Sequence, residues 1–443
     1  MRSIGGFILS AGFALAFCSP QVCTAQMDAG QQSPGELLHR VQELEAQVRD
    51  LRSQLTTMNQ TGGNSSSVTT ATQSHLGNSS PAASSSSPSQ SLAGLLGPTS
   101  LSGFIDLYYN YNSNQPASRT NGFRSFDGLS NQFALNLVEL VIDRPPEPTN
   151  SRTGYHVVLG FGQAMNAVNV TDPGGLGFDQ YLKEAYFSYL APAGRGLQID
   201  VGKFVTPHGA EVIETKDDFN YTRGLLFSYA IPYFHFGLRA KYAFHDKYST
   251  SVFMVNGWNS VVENNTGKTY GVSFGWTPNK KLSFTQNYMA GPELSPDKDS
   301  AGNNSSWRQL WDTVVSYSPN SRLTFVLNTD YGRGDRIAGL SHPVFWTGAA
   351  GYVKYALNEK YAFVTRYEYY DDHNGFTSGL PQHFNGITGT FQRMVGGHIL
   401  SRLEYRRDMS NMPVFVKGSG TPVTAQNTMT AGLVFRFDSR EAW

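Results

Sequence analysis

Between Leu101 and Phe437 one pattern recurs: runs of about ten residues in which oily and polar side chains take turns. Ile105, Leu107, Tyr109 and Tyr111 alternate with Asp106, Tyr108 and Asn110. Tyr270, Val272, Phe274 and Trp276 alternate with Gly271, Ser273 and Gly275. Met429, Ala431, Leu433, Phe435 and Phe437 alternate with Thr430, Gly432, Val434 and Arg436. A period of two belongs to the β-strand, whose successive side chains point to opposite faces, so each segment has one apolar and one polar face.

Alternation alone does not say whether the apolar face meets a second sheet or lipid. Three features select lipid. The polar face is rich in Gly, Ser, Thr and Asn and holds paired charges, Arg366 with Glu368, and Arg402, Glu404 and Arg406 on a single strand, as a wet lumen requires. The strand ends carry Tyr, Trp and Phe, like the aromatic girdles of membrane barrels. The connections alternate between short and long. Sixteen candidate strands lie near 102–112, 132–142, 154–162, 181–190, 197–204, 233–243, 250–258, 268–277, 282–290, 308–317, 322–331, 346–356, 361–370, 384–393, 398–407 and 427–437. Even-numbered strands through the fourteenth end in compact turns; odd-numbered ones lead into longer polar segments, apart from a modest one at 259–267. This is the asymmetry of outer-membrane barrels. In hydrocarbon an open sheet edge leaves amides unpaired at several kcal/mol each, which demands closure. The expected fold is all-β, a transmembrane antiparallel β-barrel of about 16 strands (14–18), wide enough to leave an aqueous channel. The second strand changes face midway, at Leu137–Val138, as a β-bulge would make it do.

Composition narrows the partners. With 34 basic and 34 acidic residues the chain lacks the basic excess that phosphate neutralisation needs, so no nucleic acid is expected. Only 15% of residues are charged, and outside the N-terminus no apolar run is long enough for a membrane helix. Residues 1–25 read as a signal peptide: Arg2, an apolar stretch from Ile4 to Phe17, then Cys23-Thr24-Ala25 before the cut. Both cysteines precede that cut, so the exported chain is expected to carry no thiol.

Residues 36–58 space Leu37, Val41, Leu44, Val48, Leu51, Leu55 and Met58 by fours and threes, the seam of a short α-helical coiled coil and hence of a homo-oligomer. Residues 59–100, dominated by Ser, Thr, Asn and Gly, read as a flexible linker. The barrel is placed at 101–437 and a C-terminal extension at 438–443. An even strand number puts both barrel ends, and the stalk, on the periplasmic side, within reach of peptidoglycan.

The run Gly202-Lys203-Phe204-Val205-Thr206-Pro207-His208-Gly209-Ala210-Glu211, preceded by Glu184-Ala185-Tyr186-Phe187-Ser188-Tyr189 and the turn Ala191-Pro192-Ala193-Gly194, resembles the putative beta-barrel porin-2 (OmpL-like) family over roughly 101–437. The resemblance implies a bacterial outer-membrane porin-like channel. Barrels of this kind commonly end on an aromatic residue, a role open to Phe437 and to Trp443.

The connection from Val205 to Pro232 is the longest on the long-loop side. It holds Glu211, Glu214, Lys216, Asp217, Asp218 and Arg223. In sixteen-stranded porins the third loop, which this one resembles in position, folds inward to narrow the pore. These six are the constriction candidates, expected to face Arg366, Arg402, Arg406 and Arg436; the lumen-wall candidates are Arg239, Lys241, Arg366, Glu368, Arg402, Glu404, Arg406 and Arg436. The plainer alternatives are a solvated outer loop, and wall charges that only stiffen the barrel.

Arg333-Gly334-Asp335 spells an integrin-type adhesion triplet. His342, His373, His383 and His398 are scattered without metal-ligand spacing, so neither metal nor cofactor is expected. His156 and His235 lack sequence neighbours that would make a catalytic set, so no enzyme is expected. The reading is a passive outer-membrane diffusion channel for small hydrophilic solutes or ions, in contact with lipid and oligomeric, a trimer by analogy with stalked porins. The alternatives are a plugged barrel with a structural or adhesive role, and a barrel hydrolase.

Overall fold

The computed structural model describes residues 97–441, apart from 297–298, 300–303 and 336–341. The signal peptide, the coiled coil, most of the linker and Trp443 lie outside the described residues.

Among the described residues eighteen strands occur in chain order: β1 Ser100–Asn112, β2 Gln132–Arg144, β3 Thr153–Phe161, β4 Leu182–Ala191, β5 Leu197–Val205, β6 Phe234–His245, β7 Tyr248–Val255, β8 Thr269–Asn279, β9 Leu282–Pro292, β10 Trp307–Tyr317, β11 Leu323–Gly334, β12 Val344–Ala356, β13 Tyr361–Asp372, β14 Gln382–Val395, β15 Ile399–Ser410, β16 Phe415–Lys417, β17 Thr421–Val423 and β18 Ala425–Asp438. Sixteen of them form one closed antiparallel barrel, in which β1 pairs with β18 from Ser102↔Asp438 to Asn112↔Thr428. Each barrel strand begins and ends within three residues of the range expected from sequence. Closure satisfies every edge that a lipid-embedded sheet would otherwise expose.

The face change in the second strand is a bulge: the β1–β2 register shifts between Asp106 and Leu107, opposite Leu137 and Leu135, which lets both Asn136 and Leu137 be buried. The sequence reading missed β16 and β17, a small hairpin within the last long loop. It also missed a short helix, α1 (Gln163–Asn169), and a π-turn at Leu226–Ala230.

Two faces follow from the period of two. Along β13 the even-numbered residues, including Arg366, Glu368 and Tyr370, are buried, while Phe363, Tyr367 and Tyr369 are exposed. The exposed side is the lipid side. Trp276, Tyr317, Tyr355 and Phe363 sit at the short-turn end, Trp307, Trp311, Tyr331 and Tyr369 toward the long-loop end, and Val272, Leu327, Ile387, Leu403 and Leu433 between. Among the described residues no helix is long and apolar enough to cross a membrane, which leaves crossing to the strands.

Candidate pore constriction

The third long connection, 206–233, leaves β5 and returns into β6 after crossing the lumen to the opposite wall. Its root is fixed first. The Gly209 amide donates to Asp312 on β10 at 2.9 Å, and the Ala210 amide to Asn328 on β11 at 3.1 Å. Farther along, the Tyr221 and Thr222 amides donate to the Glu404 carboxylate on β15 at 2.6 and 3.0 Å, and the Thr222 hydroxyl adds a third bond at 2.6 Å. The Leu225 amide donates to Glu368 on β13 at 2.7 Å. A loop entering a protein interior must bond its backbone groups or lose the cost of desolvating them. Here wall side chains supply those partners.

Arginines do the complementary work. Arg366 donates to the Thr222 carbonyl and to Glu211, both at 2.6 Å. Arg406 donates to the Arg223 carbonyl at 2.6 Å, and Arg402 to the carbonyls of Thr215, Asp218 and Asn220. Arg366, Glu368, Arg402, Glu404 and Arg406 are all buried. Burying such charges is costly unless every group is paired. Removing one member of such a set typically destabilises by about 3–5 kcal/mol.

Two glycines make room for the approach. At Gly224 a Cβ would stand 2.5 Å from Glu368 Oε2 and 3.2 Å from Glu211 Oε2. At Gly432 on β18 it would stand 2.2 Å from the ring of Tyr221, whose hydroxyl donates to Asp106 on β1 at 2.7 Å.

The six loop residues singled out from sequence separate into two groups. Glu211 accepts from Arg366 and, at 2.6 Å, from the Gly224 amide. Arg223 donates to the carbonyls of Ile213, Tyr221 and Val212. Asp218 accepts from the Val212 amide at 2.9 Å and lies 3.5 Å from Arg223; it is buried and does not face the bore. Glu214 takes the Lys183 ammonium, which also reaches Glu139. Burial penalises the charge on Glu214, yet Lys183 beside it outweighs that and holds the carboxyl below its ordinary value. Lys216 and Asp217, paired with each other, are left on an accessible edge. Lys354 of β12 lies 4.8 Å over the ring of Phe219, a later residue of the same loop.

The lumen-wall candidates also divide. Arg239 and Lys241 both meet Asp200 of β5 at 2.9 Å and stay on their own wall. The expectation that Arg436 faces the loop is overturned. It lies at the short-turn rim, exposed, donating to the Gly397 carbonyl at 2.8 Å, because it stands only two residues before the end of β18. The expected wet wall at β13–β15 is instead dry at the height of the loop.

Sequence reasoning missed several anchors: Asp106, Lys183, Glu139, and the first loop's Arg124, which bonds Asp127 at 2.6 Å and Asp408 at 2.7 Å. For the three strand residues the signal was a charge at a lumen-phase position, as with Asp106 between Ile105 and Leu107; Arg124 lies in a loop, where no such phase exists. His156 and His235 go separate ways, the first to Asp143 at 2.8 Å, the second to the Gly257 carbonyl and the Thr206 hydroxyl at 3.1 Å each. In the adhesion-like triplet, Arg333 bonds Asp335 itself at 2.7 Å.

A barrel of sixteen strands narrowed by an inward third loop is a porin architecture, and the comparisons agree. The model of the family described as "Putative beta-barrel porin-2, OmpL-like" matches residues 98–437. The chain belongs to that family. It is a porin of the bacterial outer membrane, a passive diffusion channel. The search of curated proteins gave no match. Among solved structures, the anion-selective porin from Comamonas acidovorans aligns with TM-score 0.51 at 10% identity, over 76% of this chain and 99% of its own. OmpT of Vibrio cholerae, in a trimer form, aligns with TM-score 0.51 at 11% identity, over 76% of this chain and 99% of its own. At such identity the likeness is one of fold.

Proposed function

We propose that small hydrophilic solutes and ions cross this porin between the third loop and the wall formed by β6–β8, and that the loop's accessible edge is the constriction. The observation that carries the reading is the uneven use of the lumen. The charges of β13–β15 are consumed in holding the loop, whereas Lys241, Ser251, Ser273 and Gly275 on β6–β8 stay half-buried. A ring of small polar groups on one side and Lys216, Asp217 and Lys354 on the other would set ion preference through a local field. No cofactor takes part, since the polar walls only substitute for part of the solute's hydration.

The assembly proposed is a homotrimer. The trimer form of the Vibrio cholerae OmpT, on the same fold, supports it, and the 36–58 heptads would join copies in the periplasm, near peptidoglycan. Planar-bilayer recording tests the channel: stepwise conductance that saturates with neither salt nor voltage is expected. Absence of steps from correctly folded protein would instead make it a plugged, structural barrel. Crosslinking in detergent tests the trimer, with a three-copy band as the expected product.

A further inference from the structure

At the long-loop end, several connections enclose a cleft of about 540 Å³, a size usual for a small-molecule site. Its walls are aromatic. Trp258 meets Trp346 edge-on with ring centroids 6.1 Å apart, and Trp346 stacks on Phe376 at 5.5 Å. Between these rings enters Arg308, the second residue of β10. Its guanidinium lies 4.9 Å from the Trp258 ring centroid and 5.0 Å from that of Phe376.

Beyond these ring contacts and the field of the nearby Glu293, the guanidinium has little protein to bind. Among the described residues it takes part in no hydrogen bond or ion pair, and its Nε is shut off from water without a partner. The neighbouring carboxylate of Glu293 is committed elsewhere, one oxygen to the Thr269 hydroxyl at 2.7 Å, the other to the Trp258 amide at 2.9 Å. Burial pushes the Glu293 carboxyl above its ordinary range, and Arg308 beside it acts in the opposite direction. Arg366 and Arg406 differ in that their terminal nitrogens donate to loop carbonyls, to hydroxyls or to a carboxylate, whereas those of Arg308 have no such partner among the described residues.

A planar fork of five donors held between aromatic faces is matched by a carboxylate that accepts two parallel bonds. The rings give the cleft apolar surface; of the polar lining, Asn259 is committed to the Tyr233 and Phe234 amides and the Thr171 hydroxyl, while the hydroxyls of Ser260 and Thr377, bonded to the Trp258 carbonyl and the Tyr370 hydroxyl, keep acceptor lone pairs. The Glu293 carboxyl close by disfavours a dianion more than a monoanion. We propose that this cleft is a subsite for an acidic sugar, a hydroxylated ring bearing one carboxylate, held by Arg308 through the carboxylate and by Trp258 and Phe376 through the ring face. The site would collect such a solute at the mouth before it enters the bore.

Because Trp258 and Trp346 line the cleft, binding is read by their fluorescence in the full-length porin in detergent, titrated separately with glucuronate, glucose, benzoate and inorganic phosphate. Saturable quenching by glucuronate is expected, about 10-fold tighter than by glucose and tighter than by benzoate or phosphate. Arg308→Gln should erase the preference over glucose while the barrel still migrates as folded protein. The proposal is overturned if glucose binds as well as glucuronate, if benzoate or phosphate binds more tightly, or if no ligand saturates. If Arg308→Gln fails to fold, the ranking of the four ligands on the native protein decides alone. Conductance is measured separately, so a channel that conducts but shows no saturable binding removes this inference and leaves the porin reading standing.

Discussion

The wall made by β13–β15 and the wall made by β6–β8 are built on the same two-residue grammar, yet they meet different surroundings. On the first, the lumen-facing positions hold Arg366, Glu368, Arg402, Glu404 and Arg406, all buried against the third loop. On the second they hold Arg239, Lys241, Ser251, Ser273 and Gly275, half open to the lumen, with the two charges tied to Asp200 of the neighbouring strand rather than to the loop. The difference teaches that polarity inside a barrel serves two ends. Charge placed where a loop arrives supplies partners for the loop's backbone, and short neutral side chains keep a passage clear.

The comparison breaks most visibly if the pinned side is loosened. Glu404→Ala removes the acceptor of two amides and of the Thr222 and Thr390 hydroxyls, leaving those donors buried and unpaired. The loop should leave the wall, and single-channel conductance should rise by about 2- to 3-fold, with the folded band lost at a lower temperature on heated gels. Unaltered conductance would mean that the loop does not limit flow. From the other side, Ser251→Trp places a large ring on the open wall opposite. Conductance should fall by about half while thermal resistance stays near that of the parent. A loss of stability with no loss of conductance would put the passage elsewhere.

A sharper and smaller test separates two adjacent carboxylates. Asp217 sits on the accessible edge beside Lys216, and Asp218 is turned into the loop. Asp217→Asn should shift the cation-to-anion permeability ratio toward anions by about 1.5-fold, measured as the reversal potential in a salt gradient. Asp218→Asn should leave that ratio in place and act on stability alone. Equal shifts from both would show that the loop turns over relative to the arrangement described.

How much of this was legible beforehand follows from the range of the interactions. A strand announces itself within ten or so residues, because alternation is local and lipid enforces it, and so β13 or β18 could be bounded closely. The inward loop was marked only by its length and its charges. Which wall residues would take it was not written locally: Glu404 and Thr222 are 182 positions apart, and their meeting depends on barrel closure and strand tilt. For the same reason Arg436, in the correct phase for the lumen, was assigned to the loop although its height along β18 puts it at the rim. Asp218 misled in a different way. An acid in a polar loop resembles a solvated one until the neighbours that bury it are known. The Arg308 guanidinium, which makes no hydrogen bond among the described residues, was likewise invisible, since nothing near it in sequence tells whether an arginine has been given a partner.

The smallest effect expected concerns the tether between the loop and β4. Lys183 holds Glu214 with its carboxyl below the ordinary value, so ionised Glu214 favours the docked loop. The sign follows from linkage. A group whose native pKa is depressed contributes fully above its unfolded value, about 4.3 for glutamate, and loses that contribution as pH falls through the lower native value. Acidification below that range should therefore release this tether while the guanidinium bonds to loop carbonyls at β13–β15 persist, because arginine keeps its charge. The expected record is added current flicker in the parent channel at low pH, with mean conductance little changed. Glu214→Gln should flicker to the same degree at neutral pH and gain nothing on acidification. If the variant still responds to acid, the proton is acting at another loop carboxyl, and the division between a firmly held β13–β15 side and a lightly held β4 side does not describe how the loop moves.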